Sequence, residues 1–272
     1  MKAHWILVIP FCAMVFGATA PASAQLPREQ LYVLLNEANT AFQHANAATD
    51  RPDVARQLYD RAILLYEKII DQGRVQNAGL YYNLANAYLL KDDLGRAILN
   101  YRRATKLDRA DVNIQKNLAF ARSRRVDTVE VGAEKRVLET LFFWHYDISL
   151  RTKILLACLF FAALCTGLTL MVWFGRGPVT GATAVLSGIL LLCFLASTAI
   201  EANRQANTRY GVITASEVVA RQGDGPNYPP SFKDPLHAGT EFKLVEQRPG
   251  WLHIVLSNGS EAWIAADAAG LV

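Results

Sequence analysis

Residues 81–108 read YYNLANAYLLKDDLGRAILNYRRATKLD. Apolar residues recur three and four apart from Leu80 through Tyr88, and again from Leu94 through Leu107. That spacing predicts two amphipathic helices, and the polar stretch KDDLG between them predicts a turn. The segment holds no group suited to catalysis. Its alanines and tyrosines instead predict a packed helical pair that presents a surface.

The pair is repeated. Asn83-Leu84-Ala85 recurs as Asn117-Leu118-Ala119, 34 residues on, and AILLYEKI (62–69) aligns with AILNYRRA (97–104) at an offset of 35. A period of this size is the mark of stacked helical hairpins. Ala85, Ala97 and Ala104 stand where helices cross closely, and Tyr81, Tyr88 and Tyr101 fill the adjacent gaps. These residues resemble the tetratricopeptide repeat: Tyr81, Leu84, Ala85 and Tyr88 match its first helix, Ala97, Tyr101 and Ala104 its second, and Arg109 replaces the usual proline. An upstream copy is degenerate, with NEANTAF (36–42) and AILLYEKI separated by about a dozen extra residues around ATDRPDVAR, and Asn113 to Arg122 reads as a closing helix. The resemblance implies a repeat domain over 28–125 whose concave face, at Asn39, Tyr82, Asn86 and Leu89, binds extended or helical peptides. Asn86 is then an exposed side chain whose loss leaves the fold nearly unchanged. Asn113 and Asn117 stand where carboxylate-clamping members carry lysine and arginine, which argues against that ligand. Arg102, Arg103, Lys106, Arg122, Arg124 and Arg125 form a basic set, read as solvated outer-face charge and not as a nucleic-acid site.

Apolar residues make up 52% of the 272, an excess concentrated in three blocks. The first, within MKAHWILVIPFCAMVFGATAPASAQ, has a short positive start, an apolar run from Trp5 to Phe16 and a small-residue site at Ala22-Ser23-Ala24. It reads as a signal peptide over 1–24. Cys12 follows Ile-Pro-Phe and lacks a lipobox. The other blocks, 154–174 and 179–200, are uncharged and long enough to cross a hydrocarbon core of about 30 Å. Only GRGP separates them, so they are expected to return as a transmembrane hairpin with both soluble parts in one compartment. Arg151, Lys153, Arg204 and Arg209 flank the outer ends against Arg176 in the connector, which opposes the positive-inside bias. The signal peptide is taken as the guide, placing both soluble parts outside the cytoplasm. A juxtamembrane segment, 126–153, carries Phe142, Phe143, Trp144 and Tyr146, with His145 among them, as an interfacial anchor. All four cysteines (Cys12, Cys158, Cys165 and Cys193) lie in the apolar blocks, so neither soluble part uses a disulfide framework.

After the hairpin the period changes to two. Phe242-Lys243-Leu244-Val245 and Trp251-Leu252-His253-Ile254-Val255 alternate between Gly, Pro and Asn turns, predicting about five strands in a small barrel over 210–272. The stretches SEVVARQGDGPNYPP, LHAGTEFKLVEQRPGWLHIVL and GSEAWIAA resemble a bacterial SH3 domain, with Ala262 in place of the usual glycine before Trp263. The resemblance implies a surface around Tyr228, Trp251 and Trp263, the two tryptophans being either a ligand-facing pair or core and rim. Related modules bind cell-wall peptides or proline-bearing segments.

His44, His145, His237 and His253 are scattered, and no CxxC, HExxH, phosphate loop or nucleophile elbow occurs. The expectation is a non-enzyme without metal or cofactor, in an α+β multidomain architecture. The order of signal peptide, helical repeats, two-span hairpin and SH3-like module resembles the E-type members of the aerotolerance (Bat) group of membrane proteins, with LYYNLANAY, AILNYRRA and FFWHYDISLRTK the most telling pieces. That likeness implies a scaffold in the bacterial inner membrane, beside von Willebrand A-domain membrane proteins and a MoxR-type ATPase, in envelope integrity or oxidative-stress tolerance. The rival expectation is a cell-wall recognition protein whose SH3-like module binds peptidoglycan while the repeats recruit a wall enzyme.

Overall fold

The computed structural model describes residues 26–48, 50–128, 148, 150–175 and 177–272. The expected signal peptide, the aromatic cluster at 142–146 and Arg176 lie outside these residues. The described chain is α+β. Five helices come first: α1 (Arg28–Ala47), α2 (Pro52–Asp71), α3 (Ala78–Leu90), α4 (Leu94–Leu107) and α5 (Val112–Ser123). Their starts are set locally. Pro52 opens α2 at a position where a missing N–H costs nothing. Asn77, Asp93 and Asp111 cap α3, α4 and α5 by accepting from the backbone N–H of Leu80, Arg96 and Ile114 at 3.1, 3.1 and 3.2 Å.

The repeat seen in the sequence is also a repeat in packing. Ala38, Ala62 and Tyr66 in the first helical pair and Ala85, Ala97 and Tyr101 in the second are all buried. Small residues let the helices approach, and a tyrosine fills the space beside each crossing. Ile114, Leu118 and Ala121 bury the inner side of α5.

Helices α6 (Leu150–Phe174) and α7 (Pro178–Asn207) follow. Both are long and apolar enough to cross a membrane, with mean hydropathy 2.4 and 2.2, and only 11% and 17% of their apolar windows are buried. Most of their apolar surface is exposed. Lys153 meets Glu201, Phe160 stacks on Phe194 with ring centroids 5.8 Å apart, and Gly167 faces Ala184. The contacts run up one helix and down the other, so the pair is antiparallel.

The C-terminal unit contains β1 (Arg209–Ile213), β2 (Glu217–Val218), β3 (Leu236–His237), β4 (Glu241–Arg248), β5 (Trp251–Val255), β6 (Glu261–Ala265), a 3-10 turn (Ala266–Ala268) and β7 (Ala269–Leu271). Five strands form one antiparallel sheet in the order β6-β5-β4-β1-β7, and β2 pairs with β3. The sheet is open: β6 and β7 are its edges and do not pair, so the closed barrel expected from the alternation is not formed. Ile213, Phe242, Leu252, Ile254 and Ile264 line its core face. A bulge between Leu244 and Glu246 shifts the register of β4 against β5.

The β unit rests on the helices. Val212 joins the helical core. A Cβ on Gly95 would lie 2.6 Å from the Ile213 carbonyl oxygen, and one on Gly270 would lie 2.3 Å from Leu99 Cδ2. Only glycine permits α4 and the sheet to approach this closely.

Candidate functional site

A groove of about 540 Å³ opens between α1, the α2–α3 connection and α3. Leu31, Leu35, Ile69, Val75 and Leu80 form its apolar floor. Tyr32, Asn39, Asn77 and Asn83 add polar edges, and Arg28 is its one charged residue. Tyr32 is 69% exposed, although it lies in a helix whose inner alanines are fully packed.

Of the four residues expected on the concave face, only Asn39 lines this groove. Tyr82, Asn86 and Leu89 are half-buried one helical pair further on. Asn86 differs from expectation. Its Oδ1 accepts from the Tyr101 hydroxyl at 2.5 Å and from Asn117 Nδ2 at 3.0 Å, while Asn117 Nδ2 also reaches the Tyr82 hydroxyl oxygen at 3.0 Å. The amide is thus committed to holding α3, α4 and α5 together. Asn39 repeats the arrangement in the first pair, accepting from the Tyr66 hydroxyl at 2.7 Å. Burial raises the pKa of Tyr66 to about 12 and that of Tyr101 higher still, so both phenols remain protonated donors. With the Oδ1 atoms taken, the group that each of these amides has left to offer is its Nδ2 donor. Tyr32, Leu31, Leu35 and Asn83 were missed by reading the sequence. The recurrence of Asn83 at Asn117 was the available signal for the last of them.

The second candidate surface is the outer face of the sheet. Trp251 and Trp263 share that face, since His253, two residues from Trp251, pairs across the strands with Trp263. The indole of Trp263 is nevertheless covered: the His253 ring stacks on it at 4.7 Å and 7°, and the Arg248 guanidinium lies 4.7 Å from its centroid. Arg248 is held in turn by Asp224 at 2.8 Å and Glu246 at 2.7 Å. Trp251 is half-buried and Tyr228 is 48% exposed, its ring laid over Gly223. Of the three expected residues, Tyr228 and Trp251 offer area to a ligand and Trp263 offers little.

The basic set has another use. Glu241, at the start of β4, receives Arg122 through two hydrogen bonds of 2.7 Å, Arg125 at 3.3 Å and Arg102 at 3.3 Å. Burial alone would raise the Glu241 pKa. The hydrogen bonds from Arg122 and the charges of Arg122, Arg102 and Arg125 outweigh it and hold the carboxyl below its ordinary value. Arg103 donates to the Leu271 carbonyl at 2.9 Å, Lys106 to the Val272 carbonyl at 3.2 Å, and Arg124 pairs with Asp92 at 3.0 Å. A second clasp is adjacent. Asp127 accepts from the His237 backbone N–H and from the Thr240 hydroxyl, each at 2.6 Å, and its other oxygen meets His237 Nδ1 at 2.8 Å. Most of the expected solvated face is therefore the seam between the helices and the sheet.

Among the described residues no three His, Cys, Asp or Glu side chains gather as a metal site. His237 and His253 are both engaged in packing and pairing. No protein-family model matches the chain, and no characterised protein matches its sequence.

Proposed function

We propose that the protein is a two-pass membrane-anchored scaffold whose helical unit, a tetratricopeptide-type domain, captures a peptide segment of another envelope protein. The observation that carries this reading is the groove between α1 and α3: an apolar floor with amide edges, open to solvent and filled by no part of the described chain. Such a lining suits an extended segment that seats side chains on the floor and gives carbonyls to the amides. The matched pairs Ala62/Tyr66 and Ala97/Tyr101 support the repeat assignment. The strand order and the two-residue β2–β3 pairing support an SH3-like relationship for the C-terminal unit, in an open form. The membrane is the bacterial inner membrane, both soluble units face away from the cytoplasm, and the partners are von Willebrand A-domain membrane proteins working with a MoxR-type ATPase in stress tolerance. The cell-wall reading has less support, because Trp263, one of its three expected aromatics, is already covered by His253 and Arg248.

A photo-crosslinking residue placed at Tyr32 or Asn83 of the full-length protein in intact membranes tests the proposal. Capture of an A-domain membrane protein from both positions is expected, and its loss on adding Leu35→Glu. Retention of the protein on purified cell wall, with no crosslinked protein partner from either position, would favour the rival. Reporter fusions after Arg124 and Val272 are expected to read as exported; a cytoplasmic readout from both would reverse the orientation.

A further inference from the structure

The polar groups of the groove between α1 and α3 are of one kind. Asn39 and Asn77 have given their Oδ1 atoms to the Tyr66 hydroxyl at 2.7 Å and to the Leu80 N–H at 3.1 Å, so what each amide has left is its Nδ2 donor. Asn83, across the groove on α3, makes no hydrogen bond among the described residues and brings a third amide. Arg28, in the first turn of α1, is exposed and meets no carboxylate among the described residues. No Asp or Glu stands in the described lining. The groove therefore offers donors and one positive charge over an apolar floor, and its occupant has to supply acceptors and a negative charge.

The spacing along α1 narrows the choice. Arg28, Leu31, Tyr32, Leu35 and Asn39 fall on one stripe of the helix. Arg28 and Asn39 are separated by roughly 16 Å at about 1.5 Å per residue, a distance that about five residues of extended chain cover at about 3.3 Å each. Side chains on one side of an extended chain recur every two residues, about 6.7 Å, close to the roughly 6 Å of one helical turn between Leu31 and Leu35. A carboxylate placed at Arg28 thus sets the next two side chains of its own side over the floor beside Tyr32 and Leu35.

We infer that the groove selects an extended segment of a protein partner with an internal Asp or Glu and with apolar side chains at the second and fourth positions from it. The acid pairs with Arg28, the apolar pair covers the floor, and the carbonyls between them accept from the amides. A basic segment would meet Arg28 with like charge, and a wholly polar one would leave the floor uncovered. The inference rests on the peptide-capturing role proposed for this groove.

The test is selection of a random heptapeptide library, displayed through its C-terminal end so that only side-chain carboxylates are offered, on the purified full-length protein in detergent. Enrichment of peptides with the acid and the apolar pair at this spacing is expected. Synthetic copies with amidated C-termini are expected to bind Arg28→Gln about two- to fivefold more weakly. Selection on Arg28→Glu is expected to exchange the acid for Lys or Arg and to keep the apolar pair, with the melting temperature unchanged because Arg28 is exposed. Enriched peptides without an acidic preference, or with one indifferent to Arg28→Glu, overturn the inference and leave the groove a peptide site. Binding restored by a free C-terminal carboxylate, in a peptide whose acid is replaced by Gln, overturns the side-chain assignment. Enrichment of no peptide also overturns the inference; the groove reading then stands if Tyr32 and Asn83 still crosslink a partner and falls if they do not.

Discussion

Helices α2 and α4 hold the same place in the repeat, and their outer faces have become opposites. At the 35-residue offset, Ile63 and Ile98, like Tyr66 and Tyr101, are buried alike, because these residues face inward in both copies. Leu64 is 67% exposed, whereas its counterpart Leu99 is 5% exposed beneath Gly270. Asp60 corresponds to Gly95, Glu67 to Arg102 and Asp71 to Lys106. Each exchange suits α4 to receive the sheet: a vanished side chain at the closest approach, a guanidinium toward Glu241, an ammonium toward the last strand. The periodicity of a repeat thus specifies its inward face, while its outward face follows whatever lies next to it.

The largest test of that contrast is Glu241. Glu241→Gln keeps the shape but leaves three guanidinium groups without their carboxylate, and breaking a buried pair in this way costs about 3–5 kcal/mol. Denaturant unfolding of the full-length protein is expected to show the β unit releasing before the helices. A single transition at the wild-type midpoint would mean that apolar contact alone secures the seam. The same seam has an acid limit. Glu241 and Asp127 have folded pKa values below their ordinary 4.5 and 3.8, so their contribution is fully present above those values and is lost as pH falls through the lower folded ones. Hydrogen exchange in β1, β4 and β7 is therefore expected to be constant from neutrality to about pH 5 and to accelerate below it. Acceleration already near neutrality would point to another group.

Next in size is a matched pair. Leu99→Ala removes a packed side chain and is expected to cost about 2–5 kcal/mol. Leu64→Ala, at the equivalent exposed place, is expected to stay within about 0.5 kcal/mol. Similar losses in melting temperature would erase the distinction between the two faces. The amides come next. Asn86→Ala strands the Tyr101 hydroxyl and Asn117 and is expected to cost about 1–3 kcal/mol; Asn39→Ala, with one partner to lose, falls at the lower end. A neutral Asn86→Ala would restore the reading of that residue as a free surface group.

What could be read in the sequence was whatever repeats or alternates. Ala85, Ala97 and Tyr101 declared themselves through a copy upstream, the two apolar helices through their length, and the strands of the C-terminal unit through two-residue alternation. The direction of Asn86 was not legible, because a helical position at the edge of the buried stripe can face a partner or a neighbouring tyrosine, and only the placement of Tyr101 and Asn117 selects between them. The arginine seam was hidden for a different reason. Arg122 and Glu241 are 119 residues apart, with the hairpin between them, and charge on a helix has no periodicity that reveals a distant carboxylate. The open sheet was missed because alternation reports which face of a strand is buried and says nothing of whether its edges meet.

The docking of the last strand on α4 also sets a schedule for synthesis. Arg103 waits for Leu271, 168 residues later in the chain. At about 5–20 residues per second the ribosome needs roughly 8–34 s to supply it. Until then Leu99 lacks the cover that Gly270 gives it, and the seam between helices and sheet is completed only when β7 arrives.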